Sequence, residues 1–344
     1  MIRGHGDLDR LELADVPKPT PSKPNDVLIA LRAAALNHLD LWTLRGLPGL
    51  ALEFPHTLGG DGAGSVVEVG PAVTDLRVGE RVMFNPGISC YQCEYCLAGE
   101  HSLCPSYRLL GEHVGGTLAE FIVLPRQNVV RIPDPPDGPV SWAEAAAFSL
   151  VTLTAWRMVV TQARVRPGER VLIWGIGGGV SGAALRIAKL AGAFVIATSS
   201  SDEKLAAAAG LGADVTVNHA SADVLKAVRT LTAKRGVDVV IDNVGEATWE
   251  TSLRTLGRGG RLVTCGGTSG PKVVTDVRRL FWYQWSIMGS TMGNAREYAE
   301  IVRLLGQGHL RPIIDSTYPL ERGVDAFQRL RSGGQMGKLV VEIA

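Results

Sequence analysis

Four of the five cysteines in this 344-residue chain, Cys90, Cys93, Cys96 and Cys104, follow the spacing C-x2-C-x2-C-x7-C. Four thiolates in a glycine-containing loop can close a tetrahedral zinc site, leaving no position for water or substrate. Such a metal is structural and staples a lobe with few apolar residues to bury. Four free thiols, or an iron–sulfur site, are the alternatives that the ligand type leaves. Disulfides at this spacing are disfavoured in a reducing compartment. The fifth cysteine, Cys265 in LVTCGG, reads as a small buried hydrophobe.

A second group of residues does different chemistry. VLIW at 171–174 is long enough for a buried strand, and Gly175, Gly177, Gly178 and Gly179 break it. A helical apolar pattern covers 183–190, and a second apolar run covers 194–197. Strand, glycine turn, helix and strand are the context that a dinucleotide fingerprint requires. Glycine lets the backbone approach a pyrophosphate with no Cβ in the way. The helix then offers its unpaired N–H groups and positive dipole end. The register has two readings: Gly177, Gly179 and Gly182 make a strict G-x-G-x-x-G, whereas a start at Gly175 meets Val180 at the third position. Gly178, Gly179 and Val180 are the predicted contacts.

Selectivity is read at the end of the second strand, where NAD enzymes place an acid on the ribose 2′-OH. Here Ser199 takes that position, followed by Ser200 and, at the start of the next helix, Lys204. Loss of the carboxylate removes repulsion of a 2′-phosphate, the serines donate hydrogen bonds, and Lys204 adds positive charge. NADP(H) is therefore predicted over NAD(H), the alternative being that Lys204 is a solvated helix lysine. Asp202 and Glu203 read as acids of a first helical turn.

These residues need elements to hold them. Residues 1–150 are β-rich, with DVLIAL at 26–31 alternating as a half-buried strand, further strands at 65–69 and 81–84, and a proline-rich surface connection, VPKPTPSKP. A helix is predicted over 151–165. After the fingerprint come strand 215–217, helix 221–234, strand 237–242, helix 248–256, strand 261–265 and strand 286–289. The fold class is α/β: a doubly wound parallel Rossmann sheet, 152–290, inserted into a β-rich domain of 1–151 plus 291–344, with the cysteine lobe at about 86–106. Helix 296–305, strand 313–318, helix 323–332 and strand 338–343 complete that first domain. The run FWYQW at 281–285 is predicted as buried core, with a subunit interface or a substrate wall as alternatives.

The net charge of +1 carries no polyelectrolyte signature, and no nucleic-acid partner is expected. Charges or glycines interrupt each apolar stretch short of membrane-spanning length, and MIRGHGDLDR lacks the apolar core of a signal peptide, so a cytoplasmic location is expected.

The cysteine lobe followed by a Rossmann unit resembles the medium-chain dehydrogenase/reductase family, with AALNHLD at 34–40, GGDGAG at 59–64, the turn at 175–182 and GKLVVEI at 337–343 as further points of likeness. The resemblance implies a GroES-like first domain, one structural zinc per subunit, and a homodimer or homotetramer. Alcohol dehydrogenases of that family hold a catalytic zinc at positions that align here with Asn37, Gly60 and Leu150, and Leu39 stands at their proton-relay hydroxyl. That donor set disfavours a zinc alcohol dehydrogenase. The resemblance then points to the quinone oxidoreductase-like branch: an NADPH-dependent reductase of quinones or α,β-unsaturated carbonyls without a catalytic metal. A reductase of unsaturated acyl-CoA or acid substrates and a non-catalytic NADPH-binding sensor or crystallin-like protein are the alternatives. The Asn37 amide is the candidate catalytic donor. By resemblance His38, Thr154, His219, Asn243, Gly266, Gly267 and Lys338 fall at cofactor-contacting positions, and Asp40 is read as structural.

Overall fold

Strand β1 (Asp26–Ala35) is the axis of the first unit, and it is buried along almost its whole length. The half-buried alternation expected at 26–31 is therefore corrected: Val27, Ile29 and Leu31 on one face pack in the core, and Asp26 and Leu28 on the other face are buried as well, so both faces of this stretch are covered. It leads into helix α1 (His38–Arg45). Strands β2 (Asp61–Val69) and β3 (Arg81–Phe84) follow, and β2 begins four residues earlier than expected, at Asp61. The cysteine lobe contains β4 (Gly87–Ile88), the short helix α2 (Glu94–Leu97) and β5 (Arg108–Leu109). Strands β6 (Phe121–Pro125) and β7 (Val129–Arg131) complete this half.

Helix α3 (Trp142–Trp156) runs into a π-helical turn at Arg157–Gln162, so the helix expected over 151–165 starts nine residues earlier. The continuous Trp142–Gln162 segment is long and apolar enough to cross a membrane, which corrects the expectation that no stretch reaches that length; 78% of its apolar window is buried inside the chain.

The computed structural model describes all 344 residues as two compact units, Met1–Leu150 with Gly293–Ala344, and Val151–Met292. The second unit alternates strand and helix: β8 (Arg170–Ile173), α4 (Gly179–Leu190), β9 (Phe194–Ser199), α5 (Asp202–Gly210), β10 (Val215–Asn218), α6 (Val224–Leu231), β11 (Val237–Asp242), α7 (Glu246–Thr255), β12 (Leu256–Thr264), α8 (Val277–Tyr283) and β13 (Ser286–Gly289). All pairs are parallel, in the order β10-β9-β8-β11-β12-β13. Leu172, Ile196, Val240 and Leu262 from the central strands pack with Val228, Trp249 and Leu253 from the helices. Helix α6 is shorter than the predicted 221–234. Asp223 caps its start by accepting from the Lys226 N–H, and Ala233 and Lys234 take left-handed φ values that end it. The aromatic run is split: Trp285 is buried and donates to the Gly257 carbonyl, whereas Phe281 and Trp282 are 64% and 65% exposed. The buried-core expectation fails for those two because α8 buries no residue.

The chain then returns to the first unit through α9 (Ala295–Gly306), β14 (Ile314–Pro319), α10 (Gly323–Ser332) and β15 (Lys338–Glu342). Its mixed sheet runs β14-β15-β1-β2-β3-β7, with β6 also on β1. The register of these strands decides which side chains meet. Ala35 at the end of β1 pairs with Asp61 on one side and Val340 on the other, and Leu36 N–H donates to the Leu339 carbonyl. The first residue of β2, the first residue of β15 and the residues just after β1 are thus brought to one end of the sheet.

Candidate active site and nucleotide site

At that end of the sheet lie Asn37, Asp61 and Lys338, all at least nine-tenths buried. Lys338 Nζ lies 3.0 Å from Asp61 Oδ2 and donates to Asn37 Oδ1 at 2.5 Å. The Asn37 amide nitrogen donates to the same Asp61 oxygen at 3.0 Å and to the Ala35 carbonyl at 3.4 Å. The other Asp61 oxygen accepts from the Leu150 N–H at 2.8 Å. Beneath them Asp40 accepts from the Asn37 and Gly59 backbone N–H groups, fixing the loop that presents Asn37. Burial pushes the Asp40 carboxyl up to about 6, against the pull of those two donors. Tyr298, bonded to Ser149 at 2.8 Å, has its phenol pushed up by burial first and by Asp61 as a lesser cause. His38 is exposed at the start of α1; desolvation, then the charges of Lys338 and Arg45, hold its ring below the usual imidazole range.

Position 60 closes the arrangement. A Cβ on Gly60 would meet Leu150 Cδ1 at 3.0 Å and the Leu110 carbonyl at 3.3 Å, with Asn37 Nδ2 at 3.9 Å. The three positions aligned with catalytic zinc ligands therefore do converge, but around an amide, a glycine and a leucine, and an ammonium is already bonded to the Asn37 and Asp61 oxygens. Zinc needs thiolate, imidazole or carboxylate lone pairs. This donor set does not fit a catalytic zinc. The Lys338–Asp61 contact is beyond sequence reasoning: GKLVVEI and GGDGAG each stand out as segments, and nothing local joins residues 277 apart.

The lobe is different. The ligand atoms of Cys90, Cys93, Cys96 and Cys104 all lie within 4.8 Å of one another, with Cys90–Cys104 at 3.5 Å and Cys90–Cys96 at 3.9 Å. A tetrahedron of Zn–S bonds has sulfurs about 3.8 Å apart. The spacing fits one ion and is too tight for a multi-iron cluster. Backbone N–H groups of Gln92 and Cys93 bring the Cys90 thiol down to about 6, while burial pushes Cys96 up to about 11. Cys265 takes no part; burial pushes its thiol up to about 12.

In the second unit the residues predicted to contact a nucleotide gather at the C-terminal edge of the parallel sheet. The order β9-β8-β11 puts the topological switch between β8 and β11, where open α/β sheets bind ligands. Gly175 turns the chain at φ +62°, a conformation only glycine adopts without strain. Gly178 is the N-cap of α4, leaving the N–H groups of Gly179, Val180 and Ser181 free of helical partners. Ser181 Oγ donates to the Trp174 carbonyl at 2.7 Å and accepts from Asn243 Nδ2 at 3.3 Å, tying the turn to the end of β11. Ser199, buried at the end of β9, accepts from the Ser201 N–H, and Ser201 caps α5 through the Lys204 N–H. Asp202 accepts from Asn218 Nδ2 at 2.7 Å, so this acid is turned toward β10. His219 lies beside Ser199 through a 2.9 Å backbone bond and packs its ring 5.9 Å from Trp174. Gly266 and Gly267 follow β12, and Thr154, on α3, donates to Met292 Sδ at 3.5 Å.

Two family models cover most of the chain: "Alcohol dehydrogenase GroES-like domain" over residues 23–134 and "Zinc-binding dehydrogenase" over 179–307. An alcohol dehydrogenase of Geobacillus stearothermophilus is 32% identical over 97% of this chain and 96% of its own length. The chain belongs to the zinc-binding, medium-chain dehydrogenase family. Among solved structures, one described as an NAD-dependent alcohol dehydrogenase superposes with a TM-score of 0.94 at 43% identity, covering 100% of this chain and 98% of that one. The alcohol dehydrogenase of Aeropyrum pernix gives 0.91 at 32% identity, covering 99% of each.

These relatives correct the functional expectation drawn from the sequence. That expectation takes quinones and α,β-unsaturated carbonyls as acceptors and disfavours alcohol dehydrogenases, yet these relatives, each similar along the whole chain, are named alcohol dehydrogenases. The physical reason is that missing zinc ligands report how charge on a substrate oxygen is stabilised. They do not report which substrate carries that oxygen.

Proposed function

We propose that this protein is a nicotinamide-dependent dehydrogenase that interconverts an alcohol and its aldehyde or ketone, preferring NADP(H), with protein groups in place of a catalytic metal. The observation that carries the reading is the similarity to alcohol dehydrogenases along both units. The nucleotide supplies or accepts the hydride. The N-terminus of α4 offers N–H groups to its pyrophosphate. The absence of an acid at the end of β9, the engagement of Asp202 by Asn218, and Lys204 in the first turn of α5 support the phosphorylated nucleotide. The four cysteines hold a structural zinc. The exposed Phe281 and Trp282 next to edge strand β13 support self-association.

Steady-state oxidation of NADPH and NADH with a panel of aldehydes and ketones, and reduction of NADP and NAD with the matching alcohols, tests this. A kcat/KM for NADPH about tenfold or more above that for NADH supports it. Equal use of both, or no turnover of any alcohol–carbonyl pair, refutes the corresponding part.

A further inference from the structure

Within the first unit, the chain after α1 and the chain after β5 run against each other. They are stitched together: the Gly116 N–H donates to the Thr57 carbonyl at 2.8 Å, and His56 Nε2 donates to the Gly111 carbonyl at 3.1 Å. A Cβ on Gly111 would lie 2.6 Å from the Gly59 backbone, so the seam is closed by direct backbone packing. Beside it lies a cavity of about 930 Å³, walled by Leu47, Leu50, Pro55 and Val114. Preformed clefts of ~300–1,000 Å³ with apolar walls and a few polar groups are where proteins take small molecules.

The polar groups of the cavity decide the charge of its occupant. Glu53 and Glu112 line it against one guanidinium, that of Arg108. Glu53 and Arg108 are exposed, where water and salt screen them, whereas the Glu112 side chain is only 14% exposed. The group beside the Glu112 carboxylate is the His113 ring, with Nδ1 at 3.6 Å. That nitrogen accepts from the Leu109 N–H at 3.3 Å, which puts the ring proton on Nε2 and leaves Glu112 with neither a hydrogen bond nor an ion pair there. His56, which also lines the cavity, brings no cation at neutral pH, because burial holds its ring below the usual imidazole range. Burial likewise holds the Glu112 carboxyl above the usual range, with His113 the lesser, opposing influence. A covered carboxylate without a donor is satisfied by a cation that brings its own N–H groups.

We propose that this cleft of the first unit is a binding site for an organic ammonium ion, a protonated primary amine on a short apolar body, with Glu112 as its charge partner. The apolar walls take the body of the ligand, and the ammonium N–H groups supply the donors that Glu112 lacks. The site stands apart from the alcohol–carbonyl reading above, and neither nucleotide nor turnover enters its test.

The test titrates the full chain with benzylammonium by calorimetry, with benzoate and uncharged benzonitrile as probes of the same size. The wild type should bind one benzylammonium per chain, about tenfold or more tighter than either of the others. Glu112→Gln, which keeps the side-chain shape, should weaken benzylammonium about tenfold or more and leave benzonitrile within about twofold. Leu50→Trp, which fills the cleft, should weaken both probes. Circular dichroism checks that each variant is folded. Hydrogen–deuterium exchange of the wild type, which needs no variant, should show benzylammonium protecting amides of 47–57 and 108–115. Protection confined to other segments overturns the proposal, as does unchanged benzylammonium affinity in folded Glu112→Gln. Tighter binding of benzoate would assign the cleft to Arg108 and an anion, and absence of saturable benzylammonium binding below about 10 mM would leave it without this ligand; each result refutes the proposal.

Discussion

The Lys338–Asp61 pair makes a quantitative prediction about stability that is independent of turnover. At 3.0 Å the attraction between unit charges is about 5 kcal/mol at an effective dielectric of ~20. Removing one partner loses that attraction and strands the other charge, a combination that costs about 3–5 kcal/mol for buried pairs. Lys338→Met leaves Asp61 with donors from Leu150 and Asn37 but no counter-charge. Asp61→Asn leaves the ammonium facing an amide. In the double variant, Asn37 can turn its amide over so that its oxygen accepts from the amide introduced at position 61, which restores a hydrogen bond between the two side chains. Urea denaturation of the four proteins, followed by circular dichroism, gives the double-mutant cycle. The expected coupling is at least about 3 kcal/mol, with the double variant nearer to wild type than either single. A coupling below about 1 kcal/mol, the scale of an exposed ion pair, would refute the buried geometry.

The Asp40 carboxyl, raised by burial to about 6 from an ordinary 3.8, is protonated in the folded chain where the unfolded chain has already ionised. Its contribution to stability is therefore present below about pH 4 and lost as pH rises through 6. The stability difference between wild type and Asp40→Asn should move by about 2.4 kcal/mol between pH 4 and 7, and a difference independent of pH in urea titrations would contradict the raised value. Elemental analysis should find about one zinc per chain; Cys96→Ser or chelation should remove it and open the 86–106 lobe to protease, whereas two zinc ions per chain would show that the site at Lys338 binds metal after all. Lys204→Ala should raise KM for NADPH about tenfold and leave that for NADH within twofold, and equal effects on both would exclude contact with a 2′-phosphate. Gly175→Ala, forced to φ +62°, should cost about 1–2 kcal/mol in urea and weaken nucleotide binding; full stability would mean the turn tolerates a side chain.

Local patterns are legible wherever one residue's chemistry decides its surroundings. Four cysteines at short spacing must meet if they meet anything, and the glycine turn between two apolar runs announces its strand and helix to within a few residues. Strand β1 defeats a reading by alternation, because residue types along one strand do not reveal that packing covers both of its faces. The exposure of Phe281 and Trp282 is hidden because apolar character alone does not say what covers a side chain. The pairing of Asp61 with Lys338 depends on the register of β2 and β15 against β1, which no segment encodes by itself. The loss of the zinc ligands is visible in sequence; the cation that stands among those positions is visible only in three dimensions.

The same long-range register sets a timetable for synthesis. Asp61 leaves the ribosome 277 residues before Lys338, an interval of about 14–55 seconds at ~5–20 residues per second. Residues 151–292 hold all six strands of their own sheet and can close during that interval. The first unit has no β14 or β15 until later, and with them it lacks the only positive charge bonded to the buried carboxylate. Its interior end must stay open to water until β15 docks, so the last strand to arrive closes the sheet and installs the site's cation in one step.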